Sequence, residues 1–597
     1  MIYPIPISQK FYDKASQVKI FAPQNSLFDF YRAAKEYDIN FVTSRGMEKE
    51  EYKIVIDECR VNIFSSTDVG KYRAITSLRQ ICKASRDFLP ICEIADKPDF
   101  ERRSYMLDIS RHKIPTVESI LKIVDALSEL KYNEFQLYME SFCFKYDAFP
   151  EYSEDSACLT AEDIRIIDKY CRERYIDLVP NQNSLGHMQH WLSKPELSHL
   201  SISDGDTVFG VLNPLLDESV ELMDKIYGSL FPHFSSGYAH IGLDEAYGLG
   251  NYQTKEACEK YGMDTVFADY LKKINKLCND KYGKEVMYWD DMIISYPHAF
   301  SKFPKNAIAV EWGYGIISTQ FMEERCRVLA DNKVRFYVAP GTAEWQCLTS
   351  RTGVMEFNVR TAAELGKKYG AMGYMLTDWG MPADGHMQTW VNSLYPMALA
   401  GQYAWNSGDA QDRQNFKHEF RYGAFDYLDK NAFGAKGVTE EIYRLGKYYH
   451  LEPHKVHGMT LCAINLTVPL DVTKEICSVV NPWPVYDLER FDDTFDFENV
   501  IAYVDSIQKR LEKIDFDEIL KREILLTAKT IKLGAQVVIL KITKRVSTDE
   551  KAQILSRIDE IIEEHTNLWK KRNLSAGLEV SVGILKERKK EIDELMP

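Results

Sequence analysis

From Ser104 to Asp378 the chain repeats one pattern eight times: a short apolar run, then a stretch with helical spacing. The runs are SYMLDI from Ser104, EFQLYM from Glu134, IDLVPN from Ile176, YAHIGL from Tyr238, VMYWDD from Val286, AIAVEW from Ala307, RFYVAP from Arg335 and GYMLTD from Gly373. Stretches such as TVESILKIVDALSEL and TAEDIRIIDKYCRER lie between them. Eight strand–helix units over roughly 300 residues predict a parallel (β/α)8 barrel of the TIM type. A doubly wound open sheet is the competitor, but no GxGxxG follows the first strand.

Such a barrel collects its functional side chains at the C-terminal ends of its strands. Here those ends carry Asp108, Glu140, Asn181, Asp244, Glu245, Asp290, Asp291, Glu311, Trp312, Asp378 and Trp379. Helix capping explains a single Asp after a strand but not a ring of acids, amides and indoles.

The flanks read differently. Residues 1–98 mix strands (KIVIDE, VNIF) with the amphipathic stretch KYRAITSLRQICKAS, and predict a small α/β domain. The cluster DKPDFERR marks its end, so the barrel is placed at 99–408. From 409 to 597 long helical patterns replace strands, and no Pro occurs between Pro484 and Pro597, which predicts an α-helical C-terminal domain.

Composition narrows the function. The net charge of −15 argues against a nucleic-acid partner, because phosphate binding needs an excess of Lys and Arg. No apolar run is long enough for a membrane helix. The start MIYPIPISQKFYDK lacks a basic head followed by an apolar stretch, and the twelve Cys form no CxxC pair, so a cytoplasmic protein with reduced thiols is expected. Most of the nine Trp fall between Trp191 and Trp405, often beside an acid or a Gly. Indoles next to carboxylates suit a sugar pocket, where C–H faces stack on rings and hydroxyls need polar partners.

The most informative segment is YAHIGLDEAYGLG, residues 238–250. Its adjacent carboxylates Asp244 and Glu245 repel if they enter one pocket, which favours one proton donor beside one charged group, as glycosidic cleavage requires. A capping acid beside a solvated acid is the plainer reading. HIGLDE resembles the His-x-Gly-x-Asp-Glu signature of glycoside hydrolase family 20, the β-N-acetylhexosaminidases. RRSYMLDISRHKIP, LVPNQNSLGHMQHWL, VMYWDDM and GYMLTDWG resemble that family's first, third, fifth and eighth strand segments, and KYRAITSLRQI its preceding small domain.

The resemblance implies removal of terminal β-linked GlcNAc or GalNAc with retention, the substrate's own acetamide acting as nucleophile. It implies Glu245 as general acid and base, and Asp244 as the group that holds the acetamide N–H. It implies substrate contacts from Arg103, Trp289 and Trp379, and from Tyr337 and Trp345 in roles left open between the two. His187 falls beside the acid/base, and Glu140, Asp291, Trp312 and Asp378 complete the expected substrate-binding set. The family often builds the pocket with a neighbouring subunit, so a homodimer is an expectation. No cofactor is expected, and no metal, since the pairs His187/His190 and His454/His457 lack further ligands at suitable spacing.

Two departures from the family pattern stand out. Asn183 occupies the place of an Asp that usually supports the imidazole, and Asp378-Trp379-Gly380-Met381 replaces a Trp-Gly-Glu arrangement. They leave two rivals: a sugar-binding protein with little catalysis, and a conventional retaining glycosidase with Glu311 or Glu140 as nucleophile.

Overall fold

The structure is a computed structural model of the 597-residue chain. It describes residues 2–595 except 20–25, 35, 38, 154–156, 204–209, 315–318, 381–385, 409–412, 457, 477–483 and 492.

All eight apolar runs are barrel strands. They are β6 (Arg102–Asp108), β7 (Glu134–Met139), β8 (Asp177–Gln182), β9 (Tyr238–His240), β10 (Glu285–Trp289), β11 (Ile308–Trp312), β12 (Phe336–Ala339) and β13 (Gly373–Asp378). Every neighbouring pair is parallel, and β13 closes onto β6 with Asp378 opposite Leu107. The strands are buried on both faces, as a sheet inside a ring of helices must be. Met106, Tyr138, Val179, Met287, Trp289, Ile308, Val310, Tyr337 and Met375 fill the interior as one apolar cluster.

The N-terminal sheet has the strand order β1 (Ser8–Lys19), β5 (Phe88–Asp96), β3 (Tyr52–Ile56), β4 (Val61–Ser65), β2 (Ile39–Thr43). The segments KIVIDE and VNIF became β3 and β4. KYRAITSLRQICKAS lies in the helix Asp68–Ala84, capped by the Thr67 side chain. This sheet is bolted to the bottom of the barrel by buried charges. Glu50 accepts from Arg73 and Arg103 at 2.6 Å each, and Lys131 donates to Asp96 at 2.9 Å.

The C-terminal part is built of the helices Phe495–Leu511, Glu518–Thr543, Thr548–Arg572 and Leu578–Glu594, as predicted. It also holds a two-stranded antiparallel ladder, Lys474–Ile476 with Pro484–Asp487, which the helical expectation omitted. These helices reach back to the top of the barrel. Thr116 and Leu574 exchange backbone bonds with Arg572 and Ile114. Thr527 meets Asn392, and Ser581 donates to the carbonyl of His386 in the segment after β13. Barrel and C-terminal helices share one hydrophobic core. Among the described residues no helix is long and apolar enough to cross a membrane, and eleven cysteines are free thiols.

Candidate active site

The chemistry gathers where β7, β8 and β9 end. After β9 the chain leaves the extended conformation abruptly: Gly242, Leu243 and Glu245 have φ of +70°, +74° and +48°. Positive φ costs a non-glycine residue about 1–3 kcal/mol and persists only where the surroundings enforce it. Two glycines make the enforcement sterically feasible. A Cβ on Gly242 would lie 1.9 Å from Asn183 Oδ1, and one on Gly186 would lie 2.1 Å from the Asp244 carbonyl oxygen. The Glu245 amide donates to Asp291 Oδ2 at 3.0 Å. The turn thereby presents both carboxylates to the centre of the barrel mouth.

His187, itself at φ +58°, receives them. Its Nε2 is 3.1 Å from Glu245 Oε2 and 3.4 Å from Asp244 Oδ2. Its Nδ1 is 3.3 Å from Glu140 Oε2. Burial opposes charge on this ring, but the carboxylates of Asp244, Glu140 and Glu245 outweigh it and raise the imidazole well above its ordinary range. Glu140 is buried, which alone would raise its carboxyl; Arg111 and His187 overcome this and pull it down to about 2. Glu245 is lowered as well, burial being outweighed by His187, with Tyr247 donating to Oε1 at 3.0 Å. Asp291 is pushed up to about 7 by burial and by Asp244.

The cation of the site is Arg111. It pairs with Asp108, lies 3.3 Å from Glu140 Oε2, and stands 5.4 Å from the Trp379 ring and 5.6 Å from the Tyr138 ring. Asp108 also accepts from the Gly380 amide at 2.9 Å, which ties Arg111 to the end of β13. Aromatic rings form the opposite wall. Trp379 meets Tyr138 edge-on at 4.6 Å and Trp289 at 5.8 Å, and its Nε1 donates to the Tyr314 hydroxyl at 3.0 Å. Tyr314 packs against Trp312 at 5.4 Å and Trp345 at 4.7 Å.

Residues 100–366 match the family model described as "Glycosyl hydrolase family 20, catalytic domain". The barrel is a family 20 glycoside hydrolase domain. Among curated relatives, the β-hexosaminidase subunit alpha of Bos taurus is 26% identical over 267 residues, 41% of this chain and 50% of its own length. The chain thus spans half the length of that relative. Two solved structures share the fold. A β-N-acetylhexosaminidase from Bacteroides fragilis superposes with a TM-score of 0.57 at 18% identity, covering 72% of this chain and 96% of its own. A chitobiase from Flavobacterium johnsoniae gives 0.58 at 16% identity and covers 98% of this chain and 99% of its own, C-terminal helices included.

Within this family 20 barrel, the structure brings together Asp244, Glu245, His187, Glu140, Asp291, Trp289, Trp312, Trp345 and Trp379, as the sequence suggested. Three expectations fail. Arg103 sits at the opposite end of β6, 1% exposed, donating to Glu50 and to the carbonyls of Lys131 and Phe100. The arginine at the mouth of the barrel is Arg111, eight positions on. Tyr337 lies low in the barrel, where its hydroxyl donates to Glu134 at 3.0 Å and accepts from Arg102 at 3.2 Å. The pocket tyrosine is Tyr314, which follows β11. Asp378 points away from the pocket, because successive residues of a strand face opposite sides. Thr377 and Trp379 both reach Tyr314, while Asp378 accepts from Tyr105 and from Thr342 at 3.1 Å behind the sheet. Glu140 is placed behind His187 and Arg111, 2% exposed.

The support for the imidazole also differs from expectation. Asn183 donates to the Tyr138 hydroxyl at 2.8 Å, and Tyr138 donates to Glu140 at 2.8 Å. The carboxylate behind His187 therefore comes from β7, not from position 183. Tyr314 and Arg111 carried a signal: each lies within three residues of a strand end. Met381 and His457 lie outside the described residues. His190 meets His112 at 6.0 Å rather than joining His187.

Proposed function

We propose that this chain is an exo-acting, retaining β-N-acetylhexosaminidase that removes terminal β-linked GlcNAc or GalNAc by substrate-assisted catalysis. One observation carries the reading. Asp244 and Glu245 approach the same imidazole nitrogen, with donor atoms within 4.8 Å of one another. They stand on the same side of His187. A two-carboxylate retaining mechanism needs its carboxyls on either side of the bond, about 5–5.5 Å apart. Among the described residues no other acid takes the second position. Glu140 is engaged by Arg111, Tyr138 and His187; Asp291 holds the Glu245 amide. Glu311 turns outward to Arg325 at 3.3 Å. This arrangement supports the substrate's acetamide as the nucleophile.

The steps follow from the geometry. Arg111 offers its guanidinium to hydroxyls of the terminal sugar, and the Trp379 and Tyr314 walls enclose its apolar face. Asp244 accepts the acetamide N–H and balances the positive charge that develops there. The acetamide oxygen bonds to the anomeric carbon as the bond to the leaving oxygen breaks, and Glu245 delivers a proton to that oxygen. Glu245 then takes a proton from the water that opens the oxazoline, restoring the β configuration. His187, backed by Glu140, keeps the Glu245 carboxyl in position between the two steps. This backing gives the imidazole a carboxylate partner and so supports catalysis over sugar binding alone. The relatives' names, β-hexosaminidase and chitobiase, support the substrate class.

The test is release of p-nitrophenol from aryl β-N-acetylglucosaminide and β-N-acetylgalactosaminide, with a thiazoline analogue of the oxazoline as inhibitor. Turnover of at least one substrate and tight thiazoline inhibition are expected. Neither turnover nor thiazoline binding would sink the reading, and a fluorosugar adduct on an enzyme carboxylate would replace it with a covalent mechanism.

A further inference from the structure

The same three side chains that move the proton have the spacing of a metal site. In a tetrahedral zinc centre with bonds of about 2.0–2.2 Å, neighbouring donor atoms lie about 3.3–3.6 Å apart. His187 Nε2 is 3.4 Å from Asp244 Oδ2 and 3.1 Å from Glu245 Oε2, and the three donor atoms lie within 4.8 Å of one another. The outer shell fits too. His187 Nδ1 faces Glu140 Oε2 at 3.3 Å, the carboxylate–histidine arrangement that orients zinc-bound imidazoles. The second Asp244 oxygen, Oδ1, is buried without a hydrogen-bond partner on a residue 7% exposed.

Charge points the same way. Three carboxylates, Glu140, Asp244 and Glu245, surround one imidazole, and Arg111 lies 3.3 Å from Glu140 Oε2, the oxygen that also faces His187 Nδ1. One nitrogen and two carboxylate donors, with the fourth position open to the pocket, suit zinc. Magnesium and calcium demand six or more oxygen ligands, which this corner does not provide.

We propose that the substrate-free site binds a zinc ion through His187 Nε2, Asp244 Oδ2 and Glu245 Oε2, and that zinc thereby competes with the sugar. The ion takes up the atoms that hold the acetamide and deliver the proton, so it is an inhibitor and not a cofactor. Binding follows from the geometry alone; the inhibitory consequence rests on the hydrolase reading. The sequence hid this triad because its members come from the segments after two different strands.

Two measurements decide it. Crystals of the whole chain soaked in zinc chloride should show one anomalous peak at the zinc edge, bonded to these three side chains. A peak only elsewhere, for example at the exposed Cys59 thiol, or no peak, overturns the proposal. Calorimetric titration of the whole chain with zinc should give one site that weakens about 10- to 100-fold in Glu140→Gln and further in His187→Gln. Unchanged affinity in both, each melting cooperatively, also overturns it, and if either fails to fold the wild-type diffraction decides alone. In the p-nitrophenyl assay zinc should raise KM and leave kcat unchanged. Zinc bound as described without any turnover would leave the metal site standing and remove the hydrolase reading.

Discussion

Arg103 and Arg111 share one strand and the turn after it, yet they serve opposite ends of the barrel. Replacing Arg111 by Lys keeps the charge and loses the planar fork. The expected result is a loss of about 1.5–3 kcal/mol in transition-state binding, roughly 10- to 150-fold in kcat/KM, without loss of stability. Replacing Arg103 by Met leaves Glu50 buried with Arg73 and the Asn133 amide, one cation short. About 3 kcal/mol of stability should go, with KM unchanged in the folded fraction. Denaturant titration beside steady-state kinetics separates the two, and equal kinetic damage from both variants would mean the assignment is wrong. At the acid pair, Glu245→Gln should lower turnover about 10²- to 10⁴-fold, most severely on substrates with poor leaving groups. Asp244→Asn should be similarly crippled, and azide should not restore it. Azide rescue there would show that Asp244 does not hold the acetamide.

Strands explain both what could be read in advance and what could not. Eight apolar runs announced eight strands, because a parallel barrel buries both faces of its sheet. That same burial erases the alternation that would have told inward from outward residues. Asp378 and Glu311 therefore looked like site acids although both face the helices, while Trp379, one position on from Asp378, packs against Tyr138 and Tyr314 at the barrel mouth. The turn of His187 and the pairing with Glu140 were hidden for another reason: they depend on two strands meeting, which no local pattern records. Glu311 gives this a measurable form. Burial, with Asp290 nearby, pushes its carboxyl up to about 8 despite Arg325. A proton held in the fold but released by the unfolded chain favours the fold at low pH. That stability is complete below the ordinary Glu range near 4.5, and is lost as pH rises towards 8. Glu311→Gln should flatten this decline, melting higher than wild type at pH 8.5 and about level with it at pH 4.5. A wild-type-like pH slope in the variant would show that Glu311 ionises freely.

At the scale of the whole molecule the C-terminal helices are part of the site's frame. The barrel and these helices form one continuous apolar core, and the hydrogen bonds that Asn392 donates to Thr527 and Ser581 donates to His386 hold the segment that follows β13. Scanning calorimetry should accordingly show barrel and helices melting in a single transition. Two well-separated transitions would mean that the helical part is an independent passenger. The sequence showed that helices were there but not what they touch, since their contact faces differ little from ordinary amphipathic stripes.

The backbone exchange between Ile114 and Leu574, and between Thr116 and Arg572, carries a consequence for biosynthesis. The first loop of the barrel mouth, which follows Asp108, is pinned by residues translated about 460 positions later, at Leu574 against Ile114. At the usual 5–20 residues per second, the loop waits roughly 20–90 s on the ribosome for its partner. During that interval the nascent barrel lacks the apolar cover these helices provide, so a chaperone that shields its rim until Thr548–Arg572 and Leu578–Glu594 emerge should govern the yield of folded protein.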